Sequence, residues 1–242
     1  MQYPEMIIFD YGHTLLYEPG FDPVKGSAAL LAQAVKNPHH YTLADVRKAS
    51  DMIYGTYLES VRQMDYEIAA QTANRTLYES LGIAFDLSPV ELEMVFWDAA
   101  SAGALMPGAD QMLDYINQKG MRSAVISNLV WSGEALSRRL RRLLPRHSFE
   151  FIMTSSDYFL RKPHALLFEI ALQKAGLRAD QVWYCGDNPR VDVEGAAWAG
   201  LFPVWYDNGT DRKQPPGPAP QCAHLHIHEW GELIAQLERM QG

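Results

Sequence analysis

Four short groups of residues carry the chemistry open to this chain. Asp10, with Gly12 and Thr14, follows the apolar run Met6–Phe9; Ser127 and Asn128 close a second apolar run; Lys162 stands before Pro163; Asp187 and Asp192 follow Gly186. Carboxylates gathered in one place repel one another unless a hard divalent cation joins them, and oxygen-only ligands favour Mg²⁺. A lysine and hydroxyls beside them supply donors to an anionic group such as a phosphoryl group.

Those groups can meet only if the right elements carry them. Residues 6–9 form a short apolar run followed by Asp10-Tyr11-Gly12-His13-Thr14, the pattern of a fully buried parallel strand ending in a turn. Residues 122–127, 149–153, 182–185 and 202–206 resemble it, and a last apolar segment lies at 223–227. Between them, 109–119, 132–143, 164–175 and 191–199 have helical periodicity, and 229–239 closes the chain with a further helix. Strands alternating with amphipathic helices predict an α/β fold, a Rossmann-like doubly wound parallel sheet. In such sheets the ligand site lies beyond the carboxyl ends of the strands, which is where all four groups fall.

The first interval breaks the rhythm. Residues 23–35, 43–60, 65–81 and 89–100 read as helices, with Thr42 and Ser88 as N-caps, Asp45 and Glu91 three residues on, and Gly82 as a stop. So long a helical stretch exceeds one crossover and predicts an inserted all-helical cap subdomain at 17–104, joined by short linkers to a core made of 1–16 and 105–242. Pro215-Pro216-Gly217-Pro218-Ala219-Pro220 is expected as a stiff exposed loop.

Composition narrows the class. The chain has 242 residues, a net charge of −8 and 48% hydrophobic residues. That supports a sizeable core and makes nucleic acid or anionic lipid a poor electrostatic match. No apolar stretch is long enough for a membrane helix, and no secretory signal is visible at the N-terminus. Two cysteines, Cys185 and Cys222, exclude a disulfide scaffold. The expectation is a cytoplasmic protein of unspecified oligomeric state that binds neither nucleic acid nor membrane.

The ordered set Asp10-Tyr11-Gly12-His13-Thr14, Ala124-Val125-Ile126-Ser127-Asn128, Arg161-Lys162-Pro163 and Gly186-Asp187-Asn188-Pro189-Arg190-Val191-Asp192 resembles the four motifs of the haloacid dehalogenase-like superfamily, which is dominated by phosphatases. The resemblance covers nearly the whole chain, including the helical insertion after the first motif. It implies a Mg²⁺-dependent hydrolase acting on a small phosphorylated metabolite. Asp10 is then the nucleophile that forms an aspartyl-phosphate. Asp10, the Gly12 carbonyl, Asp187 and Asp192 hold Mg²⁺. Ser127, Asn128 and the amides around Tyr11 and Gly12 bind phosphate, Lys162 neutralises charge on nucleophile and substrate, and Thr14 orients the loop.

One position departs from the family. Most of its phosphatases have a second aspartate at position 12, as the general acid and base; here it is Gly12. Losing such a group typically costs about 10²- to 10⁴-fold in rate. A good leaving group, His13 as a substitute, or weak or absent activity are the open readings. Alternatives are a non-catalytic phosphate- or partner-binding scaffold and phosphonatase-like C–P cleavage. The latter needs a cap lysine, and Lys25, Lys36 and Lys48 are the only ones. Elsewhere bland readings are favoured. The arginines of 138–142 are expected on a solvated helix face, with Leu136, Leu140, Leu143 and Leu144 facing inward. His224, His226 and His228 alternate and are expected on an ordinary edge strand. Cys185 is expected as a small buried hydrophobe, and Tyr54, Tyr57, Tyr66, Tyr78, Phe96 and Trp97 as packing.

Overall fold

The computed structural model describes residues 2–209 and 218–241, the side chains of 56–59 excepted. Residues 215–217 of the proline-rich stretch and the Tyr57 side chain lie outside the described residues. Along the chain, β1 (Met6–Phe9) and β2 (Leu16–Tyr17) precede α1 (Pro23–Ala32), α2 (Leu43–Gln63), α3 (Ala70–Ser80) and α4 (Pro89–Ala100). Next come β3 (Ala104–Leu105), α5 (Ala109–Gln118), β4 (Arg122–Ser127), α6 (Gly133–Leu143), β5 (Ile152–Thr154) and α7 (Ser155–Tyr158). The chain ends with α8 (Ala165–Ala175), β6 (Val182–Gly186), α9 (Gly195–Trp198), β7 (Phe202–Tyr206), β8 (Leu225–Ile227) and α10 (Trp230–Gln241).

Six strands form one parallel sheet in the order β5-β4-β1-β6-β7-β8. The side-chain alternation of a strand divides its core in two. Ile7, Phe9, Val125, Trp183, Cys185 and Val204 face α5, α6 and α10, whereas Met6, Ile8, Ala124, Ile126 and Tyr184 face α8 and α9. β1 is buried at every residue because it is covered on both faces and paired on both edges. The fold is therefore an α/β doubly wound parallel sheet.

Helices α1–α4 lie between β2 and β3 and share a small core of their own, Leu30, Val46, Leu77, Tyr78 and Ile83. Thr42 and Ser88 cap α2 and α4 in reciprocal bonds with Asp45 and Glu91, and Gly82 ends its helix at φ 66°. Trp97 of α4 stacks on Trp131 of the core at 5.5 Å.

Several expectations need correction. The segments flanking α1–α4 pair as an antiparallel ribbon, Leu16 with Leu105 and Tyr17 with Ala104. The third strand begins at Ile152 rather than 149. Residues 65–69 are not helical, because they run against the core: Glu67 N donates to Phe159 O at 2.7 Å and Arg161 N to Asp65 O at 2.8 Å. The helix expected at 191–199 splits into a π-helical turn, Pro189–Glu194, and the short α9. Arg139 is not on a solvated face but fully buried. Its guanidinium reaches Glu18 at 2.6 Å, Asp98 at 2.9 Å, Ser101 O at 2.9 Å and the Tyr11 hydroxyl at 3.1 Å, and it covers the Trp97 ring. Gly103, at φ 72°, makes room for it, since a Cβ there would stand 2.7 Å from an Arg139 nitrogen.

Candidate active site

β1 and β4 end side by side, so Asp10 and Ser127 emerge at the same edge of the sheet. Asp10 Oδ1 accepts hydrogen bonds from Ser127 Oγ at 2.9 Å and Lys162 Nζ at 2.7 Å. Lys162 arrives on the loop after α7. Its backbone is fixed there by Asn128, whose amide accepts from Lys162 N at 2.8 Å and donates to Lys162 O at 2.9 Å. Asn128 thus positions the lysine with the atoms the sequence suggested for substrate.

Lys162 Nζ also donates to Asp192 Oδ1 at 2.6 Å and to the Tyr184 hydroxyl at 2.6 Å. Tyr184 in turn donates to Ile126 O at 2.9 Å. Sequence reasoning missed Tyr184. The available signal was a phenol inside an apolar strand, two residues before Gly186, because a buried hydroxyl requires a partner. Gly186 is needed for close approach: a Cβ there would lie 2.4 Å from Asp192 Cβ. Asp192 Oδ2 accepts from Asn188 N at 3.0 Å, and Asp187 is held through its carbonyl by Trp205 Nε1 at 3.2 Å.

The ligand oxygens of Asp10, Asp187 and Asp192 lie within 4.8 Å of one another, and all three residues are buried. Burial raises the Asp10 pKa and the Asp192 charge adds to it, against the opposing pull of Lys162 and Ser127. Burial also disfavours the Lys162 ammonium, but the carboxylates of Asp10 and Asp192 outweigh it and raise the lysine pKa. Three carboxylates against one ammonium leave a formal charge of −3 + 1 = −2. Oxygen donors with a deficit of two positive charges fit Mg²⁺ and offer no soft ligand.

The loop after β1 closes on itself. Tyr11 O accepts from Leu15 N and Leu16 N, each at 3.0 Å, and His13 N donates to Leu16 O at 2.6 Å. The amides of Tyr11 and Gly12 take no part in these bonds. His13 adopts φ 54°, and its carbonyl accepts from Asn208 Nδ2 at 2.6 Å. Thr14 is fully buried within the loop. The Tyr11 ring turns away from Asp10, and its hydroxyl donates to Glu18 at 2.5 Å.

A family model described as haloacid dehalogenase-like hydrolase matches residues 97–205, a span that begins after Asp10. The phosphoserine phosphatase of Thermus thermophilus is 30% identical over 125 residues, 52% of this chain and 49% of that one. The pyrimidine 5'-nucleotidase YjjG of Escherichia coli is 29% identical over 179 residues, covering 72% and 77%. The match thus spans about half the length of the first relative and three quarters of the second. Among solved structures, a 2-haloacid dehalogenase from Pseudomonas syringae superposes with a TM-score of 0.66 at 22% identity, over 98% of this chain and 99% of that one. Residues 97–205 are thus similar to the haloacid dehalogenase-like hydrolases, and the chain shares the fold of the superposed structure. No helix among the described residues is long and apolar enough to cross a membrane.

Proposed function

We propose that the chain is a Mg²⁺-dependent phosphatase that cleaves a small phosphorylated metabolite through an aspartyl-phosphate on Asp10. The observation that carries this reading is Lys162 Nζ bound at once to Asp10 and Asp192 inside a buried cluster of three carboxylates. Asp10 Oδ1 is engaged by Lys162 and Ser127, which leaves Oδ2 to attack phosphorus in line with the leaving oxygen. The bond from phosphorus to that oxygen breaks as the new one forms, and water then cleaves the acyl phosphate and restores Asp10. Ser127 and the amides of Tyr11 and Gly12 hold phosphoryl oxygens, while Lys162 offsets negative charge. A divalent ion held by Asp10, the Gly12 carbonyl, Asp187 and Asp192 supplies electrostatic stabilisation of the phosphoryl group.

Helices α1–α4, in the 17–104 span, serve as the cap over this site and supply its specificity. Lys25, Lys36 and Lys48 are all exposed, which gives no support to an imine-forming lysine and hence to C–P cleavage. Gly12 favours one second reading, a scaffold that binds phosphate without turnover.

Phosphate release decides between them. The panel holds phosphoserine, pyrimidine nucleoside 5'-monophosphates, glyceraldehyde 3-phosphate and acetyl phosphate, each with Mg²⁺ or EDTA. Turnover that needs Mg²⁺ and vanishes in Asp10→Asn supports the phosphatase. Saturable Mg²⁺-dependent binding of a phosphate analogue without any turnover supports the binding scaffold.

A further inference from the structure

The alternating histidines near the C-terminus meet, in the fold, a carboxylate from the neighbouring strand. β7 and β8 pair in parallel, with Trp205 beside His226 and Tyr206 beside Ile227. That register continues one step: Asp207 N donates to Ile227 O at 2.8 Å and so brings Asp207 level with His228. Because side chains alternate along a strand, Trp205, Asp207, His226 and His228 share one face, while Tyr206 and Ile227 are buried on the other.

We propose that Asp207, His226 and His228 form a second metal site, separate from the carboxylate cluster. It would take a borderline first-row divalent ion of the Zn²⁺ class. One ligand atom from each residue lies within 4.8 Å of the others. The two imidazoles are already oriented. The His226 ring lies flat on Trp205, with centroids 4.2 Å apart and planes at 12°, and its Nε2 stands 3.3 Å from Asp207 Oδ2. His228 Nδ1 sits 2.9 Å from the Asp207 main-chain carbonyl. A carbonyl only accepts, so that bond places the proton on Nδ1 and leaves the Nε2 lone pair for a ligand. Holding one ring nitrogen in a hydrogen bond so that the other can ligate is how protein metal sites orient histidine.

The donor set selects the ion. Two imidazoles and one carboxylate suit Zn²⁺, whereas Mg²⁺ prefers oxygen alone. Three protein ligands on an exposed face leave a fourth position to water. His224 is a different case: its Nδ1 is 2.8 Å from Cys222 O, and its ring is 6.1 Å from that of His226, so it stays outside the set.

The test uses the full chain without an affinity tag, in excess Mg²⁺ to fill the carboxylate cluster. Zn²⁺ is titrated against a chromophoric chelator, and Co²⁺ binding is followed by its visible absorption. Wild type, Asp187→Asn and His224→Ala should bind one Zn²⁺ with equal affinity. His226→Ala, His228→Ala and the bulkier His226→Gln should each lose at least about 10- to 100-fold, the range already seen when only a supporting partner is removed. These side chains lie at an exposed edge, so the variants should keep the wild-type circular dichroism spectrum. If wild type binds no Zn²⁺, if the histidine variants bind as wild type does, or if affinity falls with Asp187→Asn, the site does not exist.

Discussion

Replacing Gly12 with aspartate tests the proposed chemistry where the chain departs from the motifs it resembles. The backbone permits it. Gly12 is outside the positive-φ region that neighbouring His13 occupies, and a Cβ there would meet only Asp10 Oδ2, at 4.0 Å. The added carboxylate can therefore reach the leaving-group side of the nucleophile without distorting the loop. Two effects compete. A general acid contributes about 10²- to 10⁴-fold, which lowers the barrier by roughly 3 to 5 kcal/mol. A second carboxylate about 5 Å from Asp10 is repelled by on the order of 3 kcal/mol at an effective dielectric constant of about 20. The repulsion acts on the metal-free protein and is relieved when a divalent ion binds. Gly12→Asp should therefore melt at a lower temperature than wild type in EDTA and recover in Mg²⁺. Its kcat on alkyl phosphate monoesters should rise by up to the general-acid factor, and acetyl phosphate or aryl phosphates, which leave without a proton, should gain little. The assay is kcat/KM against leaving-group pKa in both proteins, and the mutant line should be the flatter. An undistorted mutant loop with no gain on alkyl esters would refute the missing-acid account. A large loss of activity in His13→Ala would then assign the proton transfer to that imidazole.

Three further outcomes follow from buried charge. Lys162→Met leaves Asp10 and Asp192 buried without their counter-ion and should cost about 3–5 kcal/mol in urea unfolding, partly restored by Mg²⁺; unchanged stability would mean the ammonium is not paired. Arg139→Met strands Glu18, while Asp98 keeps Arg142, and should cost up to about 3 kcal/mol; Arg139→Lys should not rescue it, because an ammonium lacks the fork that reaches both carboxylates and Ser101 O. Burial raises the pKa of Glu93 against the opposing bonds from Ser132 and Gln71. The stability this acid contributes is thus fully present below its unfolded pKa and lost as pH rises through the folded one. The melting temperature of Glu93→Gln relative to wild type should accordingly rise as pH is raised from the ordinary glutamate range, about 4.3, upward; a difference that stays flat with pH would count against it.

Sequence carried the sheet because its strands are buried on both faces. Met6–Phe9 and Arg122–Ser127 read as apolar runs; Asp10 follows the first and Ser127 ends the second, and the structure brings the two together. Thr42 and Ser88 announced their helices because a capping box is a local event. Contacts between distant segments were not legible. The β2–β3 ribbon is two residues long on each side, too short for any periodicity. Arg139 lies in a run of arginines whose other members are solvated to different degrees, and only the approach of Glu18, Asp98 and Ser101 distinguishes it. Asp207 joins the histidines through a strand register that no spacing encodes. Asn128 was found for its place after the second strand, but its partner, the Lys162 backbone, is set by the loop between β5 and α8.

The arginine hub has a consequence for how such chains diverge. Tyr11 follows the nucleophile directly; its hydroxyl meets Glu18 at the end of the ribbon, and Arg139 grips both together with Asp98 from the last inserted helix. Four residues from four segments thus form one hydrogen-bonded unit of formal charge −1, which Arg142 balances through Asp98 at 2.6 Å, and losing the buried Arg139 leaves Glu18 without its counter-ion. Drift at these positions is therefore constrained to move in concert. Descendants should keep Tyr11, Glu18, Asp98 and Arg139 as a set or replace them as a set with apolar residues. Gly103 should stay glycine only in lineages that keep the arginine it accommodates.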